Sequence, residues 1–223
     1  MKKILVLIDG FNFYHRLKDY QYKYKECVKW LSYPRLIMQY FDNYSDYEFE
    51  YIYFSAKADF RGDDVVQRHE KYIEALNLDN VKVVLGQFKK KEINRCKCNE
   101  RCIGCKGHQD KTPLIKHEEK NTDVNIAITL LEKALKKEYD KCYILSSDSD
   151  FNSAIKRAKE VYPEGIITLV PPPLVNNKNR KQRYNINAVK ELTKSKPLFV
   201  SWEKIKKAQF PDNFNGLENP WKI

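Results

Sequence analysis

The sequence predicts a single α/β domain built on a doubly wound, mainly parallel five-stranded sheet flanked by helices. Two observations support this class. Five short apolar runs alternate with segments of helical periodicity at the spacing of βαβ units. The first run, residues 3–8, is almost wholly apolar, which is typical of a parallel strand buried on both faces. With 223 residues the chain is long enough for one core and a small appendage.

The individual elements follow from these patterns. Strands are expected at residues 3–8, 48–54, 81–85, 142–145 and 166–170. Helices are expected at residues 11–24, 34–41, 64–76, 122–135, 151–160, 187–192 and 201–208, with Thr122 and Ser201 as N-caps of the helices that they begin. The domain is therefore placed at residues 1–210, and residues 211–223 are expected to form a partly ordered C-terminal tail.

Residues 87–117 interrupt the pattern with a lysine-rich stretch that contains four closely spaced cysteines, Cys96, Cys98, Cys102 and Cys105. In an intracellular chain such a cluster favours thiolate ligands of a structural Zn²⁺ over disulfides. We therefore expect a Cys-rich zinc-knuckle insertion, in which His108 or His117 could replace one cysteine. Free or redox-active thiols and disulfides are the alternatives. The neighbouring basic residues form either a lobe that contacts phosphates or an ordinary solvated loop.

Charge and hydropathy restrict the class of partner and the location. Lys and Arg total 41 against 30 Asp and Glu, so the formal charge is +11 and a polyanionic partner is favoured. The alternative is a lysine-rich composition that serves solubility alone. No apolar stretch reaches the roughly 18 residues of a membrane span, and the first apolar run is too short for a signal peptide. The sequence thus predicts no membrane association and a cytoplasmic location.

Carboxylates follow two of the predicted strands directly. Asp9 ends the first run, and Asp148 and Asp150 follow the strand at residues 142–145. Asp123 begins a helix and shares a face with its apolar positions 127, 130 and 134. Open α/β sheets place their sites at the carboxyl ends of strands, and gathered carboxylates are stable mainly around a divalent cation. The alternative is that each Asp only caps or charges a helix N-terminus.

Three sequence blocks resemble those of NYN-domain proteins, which belong to the PIN-like nuclease superfamily. The blocks are Ile8-Asp9-Gly10-Phe11-Asn12, then Glu118-Glu119-Lys120-Asn121-Thr122-Asp123-Val124, then Leu145-Ser146-Ser147-Asp148-Ser149-Asp150-Phe151. The similarity extends to the segment that ends at Pro211, so it covers most of the chain. One departure is Ser147, where the family usually has Gly; we expect the site to tolerate the added hydroxymethyl group.

The resemblance implies a PIN-like fold and RNA cleavage assisted by Mg²⁺ or Mn²⁺. Asp9, Asp123, Asp148 and Asp150 match the acidic site, and Asn12 and Ser146 match polar residues beside it. Asp9 and Asp148 are the expected direct ligands, while Asp123 and Asp150 either ligate or orient a water that attacks phosphorus. The resemblance also implies that a homodimer can form.

The predicted function is therefore a metal-dependent endoribonuclease that acts on single-stranded or structured RNA. The alternative is a non-catalytic RNA-binding or regulatory module with the same fold. A phosphatase of another α/β family is a weaker candidate. Phosphate contacts are expected from a basic loop beyond the last strand, at Arg180, Lys181 and Arg183. A run of tyrosines either stacks on unpaired bases or forms a half-buried helix face; its members are Tyr14, Tyr20, Tyr22 and Tyr24.

Overall fold

The structure is a computed structural model that describes residues 1–93, 114–163, 165–170 and 198–222. Within these residues, strands and helices alternate along the chain. The elements in chain order are β1 (Lys2–Asp9), α1 (Gly10–Tyr24), α2 (Tyr33–Met38), β2 (Tyr47–Ala56), α3 (Asp63–Leu78), β3 (Val81–Ile93), β4 (Leu114–Lys120), α4 (Thr122–Leu135), β5 (Lys141–Leu145), α5 (Asn152–Val161), β6 (Gly165–Val170), β7 (Leu198–Phe199), α6 (Trp202–Lys207), β8 (Asn213–Phe214) and β9 (Leu217–Glu218). Single 3-10 turns lie at Tyr44–Asp46 and Asp59–Arg61.

Among the described residues, the main sheet has seven strands in the order β4-β3-β2-β1-β5-β6-β7. All neighbours are parallel except β3 and β4. The five expected strands are confirmed, and the edge strands β4 and β7 are additional. The order reverses direction at β1, which places the ends of β1 and β5 side by side at the switch point where α/β sheets form their sites.

Helices cover both faces of the sheet, as the doubly wound prediction requires. Ile4, Val6 and Ile8 of β1 share one buried cluster with residues of α1, α2, α3 and α6. Leu5 and Leu7 face the opposite way and share a second cluster with α4 and α5. Because successive side chains of a strand point to opposite faces, an unbroken apolar run is what a strand between two helical layers needs.

The boundaries of the predicted insertion need correction. Residues 87–93 belong to β3 and residues 114–117 to β4, and the two strands pair antiparallel from Gln87 opposite Lys120 to Ile93 opposite Leu114. The sequence pattern did not predict this hairpin, because edge strands need no continuous apolar run and commonly carry lysines. Cys96, Cys98, Cys102 and Cys105 lie outside the described residues, as do Arg180, Lys181 and Arg183.

The C-terminal segment is folded against the domain, so the expectation of a partly ordered tail is wrong for residues 211–222. β8 and β9 form a hairpin, and Trp221 packs on Trp30 and Tyr72. The Trp30 indole N–H donates to the Pro211 carbonyl at 2.9 Å. A few large aromatic side chains bury enough area to hold a short polar segment in place. Ser201 caps α6 as predicted, whereas the helix expected at 187–192 lies outside the described residues.

The start and buried face of α4 also differ from expectation. Its N-cap is Asn121, which has a φ of 78°, and Thr122 is the first helical residue. The buried stripe is Thr122, Ile126, Leu130 and Ala134, so the apolar side chains of Val124, Ile128 and Leu135 are exposed. Within the described part of the chain, no helix is long and apolar enough to cross a membrane.

Candidate active site

Asp9 lies where the central strand ends and α1 begins. Only 5% of the residue is exposed, and its carboxylate caps α1 by accepting the Asn12 backbone N–H at 3.0 Å. The next residue, Gly10, is pressed against β2. A Cβ there would lie 2.4 Å from Tyr53 Cζ and 2.6 Å from the Phe54 carbonyl oxygen. Packing against β2 therefore requires glycine at position 10, directly after Asp9.

The loop after β5 is hydrogen-bonded to the end of β1. Ser146 Oγ donates to Asp9 Oδ2 at 2.8 Å and accepts the Asp148 backbone N–H at 3.0 Å. Asn12 Oδ1 accepts the backbone N–H and the hydroxyl of Ser147 at 3.2 and 3.0 Å. Asn12 and Ser146 therefore position the two loops, and Ser147 contributes a hydrogen bond that a glycine could not make.

Asp148 and Asp150 form a turn that precedes α5. The Asp150 backbone N–H donates to Asp148 Oδ1 at 2.9 Å, Asp148 is half-buried, and Asp150 is exposed. The N-cap of α5 is Phe151, and no side chain caps this helix. Neither Asp148 nor Asp150 therefore caps α5 through its side chain, whereas Asp9 does cap α1.

The carboxylates of the site act on one another electrostatically. The pKa of Asp9 is raised to about 6, chiefly by burial and in smaller part by the charges of Asp123 and Asp148, against the lowering effect of the hydrogen bonds from Asn12 and Ser146. Asp123 is more exposed than expected, yet its pKa is also raised, first by partial burial and then by Glu119, Asp148 and Asp150. The four predicted aspartates thus belong to one field of negative charge.

Glu119 is a fifth carboxylate of this cluster, and the sequence analysis assigned it no role. It lies on β4, and its Oε1 accepts the Thr122 backbone N–H at 3.0 Å and the Thr122 hydroxyl. β3 approaches closely enough that a Cβ on Gly86 would lie 2.6 Å from the Lys120 carbonyl oxygen. The position of Glu119 depends on β4, and the sequence did not predict the β3–β4 hairpin. Glu119 was therefore missed.

The donor set fits a hard divalent cation in chemistry. All five groups are oxygen donors, and the pKa values of Asp9 and Asp123 are raised first by burial and then by the negative charge of neighbouring carboxylates. In their present positions, however, no three His, Cys, Asp or Glu side chains among the described residues form a group that could hold an ion. The carboxylates therefore interact electrostatically but do not form a preformed coordination shell.

A cleft of about 810 Å³ adjoins the cluster. It lies between α1, α3 and the β3–β4 hairpin, and its lining includes Gly10 and Phe11 beside Asp9 and Glu119 beside Asp123. Of the tyrosine run, Tyr14 lines the cleft. Tyr20 is buried and packs on Trp202, so this residue belongs to a packed helix face and is not available to stack on a base.

The chain is a mixed α/β protein with a mostly parallel sheet. Its acidic residues lie at the carboxyl ends of central strands, at the switch point where such sheets form their sites. The sequence profile described as "NYN domain" matches residues 3–183, and the chain therefore belongs to the NYN domain family. NYN domains are generally nucleases, which supports a hydrolase at the level of class. The match ends at residue 183, so it does not cover the likeness expected up to Pro211.

One solved structure supports the fold independently. The crystal structure of a protein of unknown function from Vibrio parahaemolyticus is similar to this chain with a TM-score of 0.55. The two share 14% sequence identity, and the match covers 91% of this chain and 94% of the other. At this identity the likeness concerns the fold alone. No curated protein matches the chain.

Proposed function

We propose that this NYN-domain protein is a metal-dependent endoribonuclease that hydrolyses phosphodiester bonds in RNA. The observation that supports this most directly is the buried Asp9 carboxylate, which faces the charges of Asp123 and Asp148 in a chain of net charge +11. A protein that only bound a polyanion would gain nothing from carboxylates directed at it, because they repel phosphate.

Asp9 and Asp148 would hold a Mg²⁺ or Mn²⁺ ion directly, with Asp123, Asp150 and Glu119 as further ligands or as acceptors for coordinated water. When bound, such an ion polarises a phosphate oxygen and lowers the pKa of water. It would also lower the pKa of Asp9, since a nearby opposite charge favours the ionised carboxylate.

The remaining polar residues would organise the reaction. Asn12 and Ser146 each fix one side of the Asp9 carboxylate, and Ser146 ties Asp148 to the same centre. Asp150 is exposed at the rim, where it can orient the attacking water and accept its proton. Arg180, Lys181 and Arg183 remain predicted phosphate contacts.

Three further predictions accompany this proposal. The four cysteines at 96, 98, 102 and 105 would hold a structural Zn²⁺ at the end of the β3–β4 hairpin, where the chain leaves and re-enters these strands. A location in the cytoplasm would bring the protein to its substrate, and cell fractionation tests it. A homodimer remains a prediction for light scattering.

One observation favours the alternative of a non-catalytic RNA-binding module. No three potential ligands in the described part of the chain are grouped closely enough to hold a metal. A nuclease must then rearrange side chains when the ion binds, whereas a binding module need not. The two functions differ in one result: the module binds RNA and leaves it intact in the presence of Mn²⁺.

The test is incubation with single-stranded and structured RNA, and with DNA of the same sequence, in Mn²⁺ or in chelator. Wild type should cleave RNA only with the cation, and Asp148→Asn should lose the activity. Asp46→Asn is the matched control, because Asp46 is exposed at the opposite end of the sheet, just before β2. Cleavage by Asp148→Asn at the wild-type rate would reject the site, and binding without cleavage by wild type would favour the module.

A further inference from the structure

A stacked pair of rings lies beside the cleft, and His117 of this pair lines it. Phe60 in the 3-10 turn and His117 on β4 lie parallel, with ring centroids 3.8 Å apart and an interplanar angle of 2°. Phe60 is 39% exposed although it is a large apolar side chain. This pair is held by elements distant in sequence, so the fold itself builds a flat aromatic surface at the edge of an open cleft.

An aromatic row leads from this pair towards the carboxylates. Phe88 packs edge-on against Phe60, with ring centroids 5.1 Å apart, and against Phe11, with ring centroids 5.7 Å apart. Phe11 lies two residues after Asp9, at the start of α1. The row therefore connects the exposed Phe60–His117 pair with the site where the proposed reaction takes place.

Positive charge lines the same cleft. Lys18, Lys29 and Arg61 contribute to its walls, and none of them forms an ion pair with a carboxylate among the described residues, whereas Arg68 pairs with Asp64. The pKa of Lys29 is lowered to about 8, chiefly by burial and in smaller part by the charges of Arg68 and Lys18, against the raising effect of Cys27. Cations held this close without a counter-ion are favourable mainly when an anion enters.

We propose that this cleft binds single-stranded RNA, with an unpaired base stacked on the Phe60–His117 pair and the neighbouring phosphates on Lys18 and Arg61. The idea that the bound strand is then cut rests on the proposed function, whereas the binding itself does not. Bases in a duplex are stacked on one another and cannot present a face to protein rings, so the cleft should select unpaired segments. Its volume lies within the roughly 300–1,000 Å³ of sites that enclose small ligands.

The test measures binding without catalysis. Fluorescence anisotropy in EDTA gives the affinity for a labelled oligouridylate and for a blunt RNA duplex of equal length. Phe60→Ala and His117→Ala should each weaken single-strand binding about 5- to 150-fold, which corresponds to about 1–3 kcal/mol for one stacked base. Phe60→Trp should restore it. Tyr22→Ala is the matched control, because Tyr22 is 73% exposed on α1 and does not line the cleft.

The outcomes separate the two proposals. Unchanged single-strand affinity in Phe60→Ala and His117→Ala, or an equal loss in Tyr22→Ala, overturns the base site. Duplex binding as tight as single-strand binding overturns it as well, and so does uridine monophosphate competing as well as the oligomer. If the ring variants bind weakly as expected but wild type never cleaves RNA with Mn²⁺, the base site stands and the nuclease proposal fails. Melting curves identify any variant that has not folded.

Discussion

Replacing Asp9 by Asn should stabilise the protein in the absence of divalent cation while removing its response to the cation. The carboxylate is 5% exposed, and its pKa is raised from 3.8 to about 6, chiefly by burial. The native protein therefore binds more protons than the unfolded chain between these two values. The stabilisation from protonated Asp9 is fully present below pH 3.8 and is lost as the pH rises through about 6.

The size of the effect follows from this shift. A rise of about two pKa units corresponds to about 3 kcal/mol, which the ionised carboxylate costs the native state above pH 6. Asn is neutral at every pH and retains an oxygen for the Asn12 N–H, so Asp9→Asn should gain about 1–3 kcal/mol at pH 7.5. For a chain of this length that is a rise in Tm of roughly 2–10 °C.

Thermal unfolding followed by circular dichroism at pH 7.5 measures both effects. In EDTA, the Tm of Asp9→Asn should lie above that of wild type, and the Tm of the control Asp46→Asn should equal that of wild type. Added Mn²⁺ should raise the Tm of wild type, because a ligand that binds only the native state stabilises it, and should leave Asp9→Asn nearly unchanged. A lower Tm for Asp9→Asn in EDTA, or an equal Mn²⁺ response in both proteins, would refute the reasoning.

Three other changes have defined outcomes. Gly10→Ala should lower the free energy of unfolding by about 1–3 kcal/mol in urea titrations, because its Cβ would overlap β2. Ser146→Ala should move the acidic limb of the pH–rate profile to higher pH, since the Ser146 hydrogen bond lowers the pKa of Asp9. Cys102→Ser combined with Cys105→Ser should remove zinc from the purified protein, as measured by elemental analysis.

Each of these changes has a control. Gly165→Ala should cost little, because the nearest atom to its Cβ would be Lys141 Cγ at 3.9 Å, and an equal loss at both glycines would contradict the packing argument. An unshifted profile in Ser146→Ala would contradict the role given to its hydroxyl. Cys27→Ser should keep any zinc, because Cys27 contacts Asn219 in the folded body. Zinc absent from wild type would remove the knuckle.

The central part of the fold could be predicted because it depends on local apolar patterns. The run at residues 3–8 identified a doubly covered strand, and strand alternation placed Asp9 and Asp148 at one edge of the sheet. The β3–β4 hairpin could not be predicted in the same way. Its lysines suit an exposed edge, and its pairing between Gln87 and Lys120 spans 33 residues that carry no apolar period.

The same limit applies to the candidate site. Asp9 and Asp148 could be predicted because each follows a recognisable strand, whereas Asn12 and Ser146 were predicted from the resemblance to NYN-domain proteins. Glu119 was missed because its position depends on long-range pairing. Phe60 and His117 are also brought together by that pairing, since Phe60 precedes α3 and His117 lies on β4. Spacing along the chain contains no signal for such a contact.

Binding of Mn²⁺ to the free protein tests the central claim most directly, namely that Asp9 and Asp148 hold one divalent cation. Electron paramagnetic resonance reports the free ion during titration without RNA. We predict that wild type and Asp46→Asn take up Mn²⁺ alike, and that Asp9→Asn and Asp148→Asn each weaken binding at least about tenfold. Equal uptake by wild type and both site variants would contradict the account.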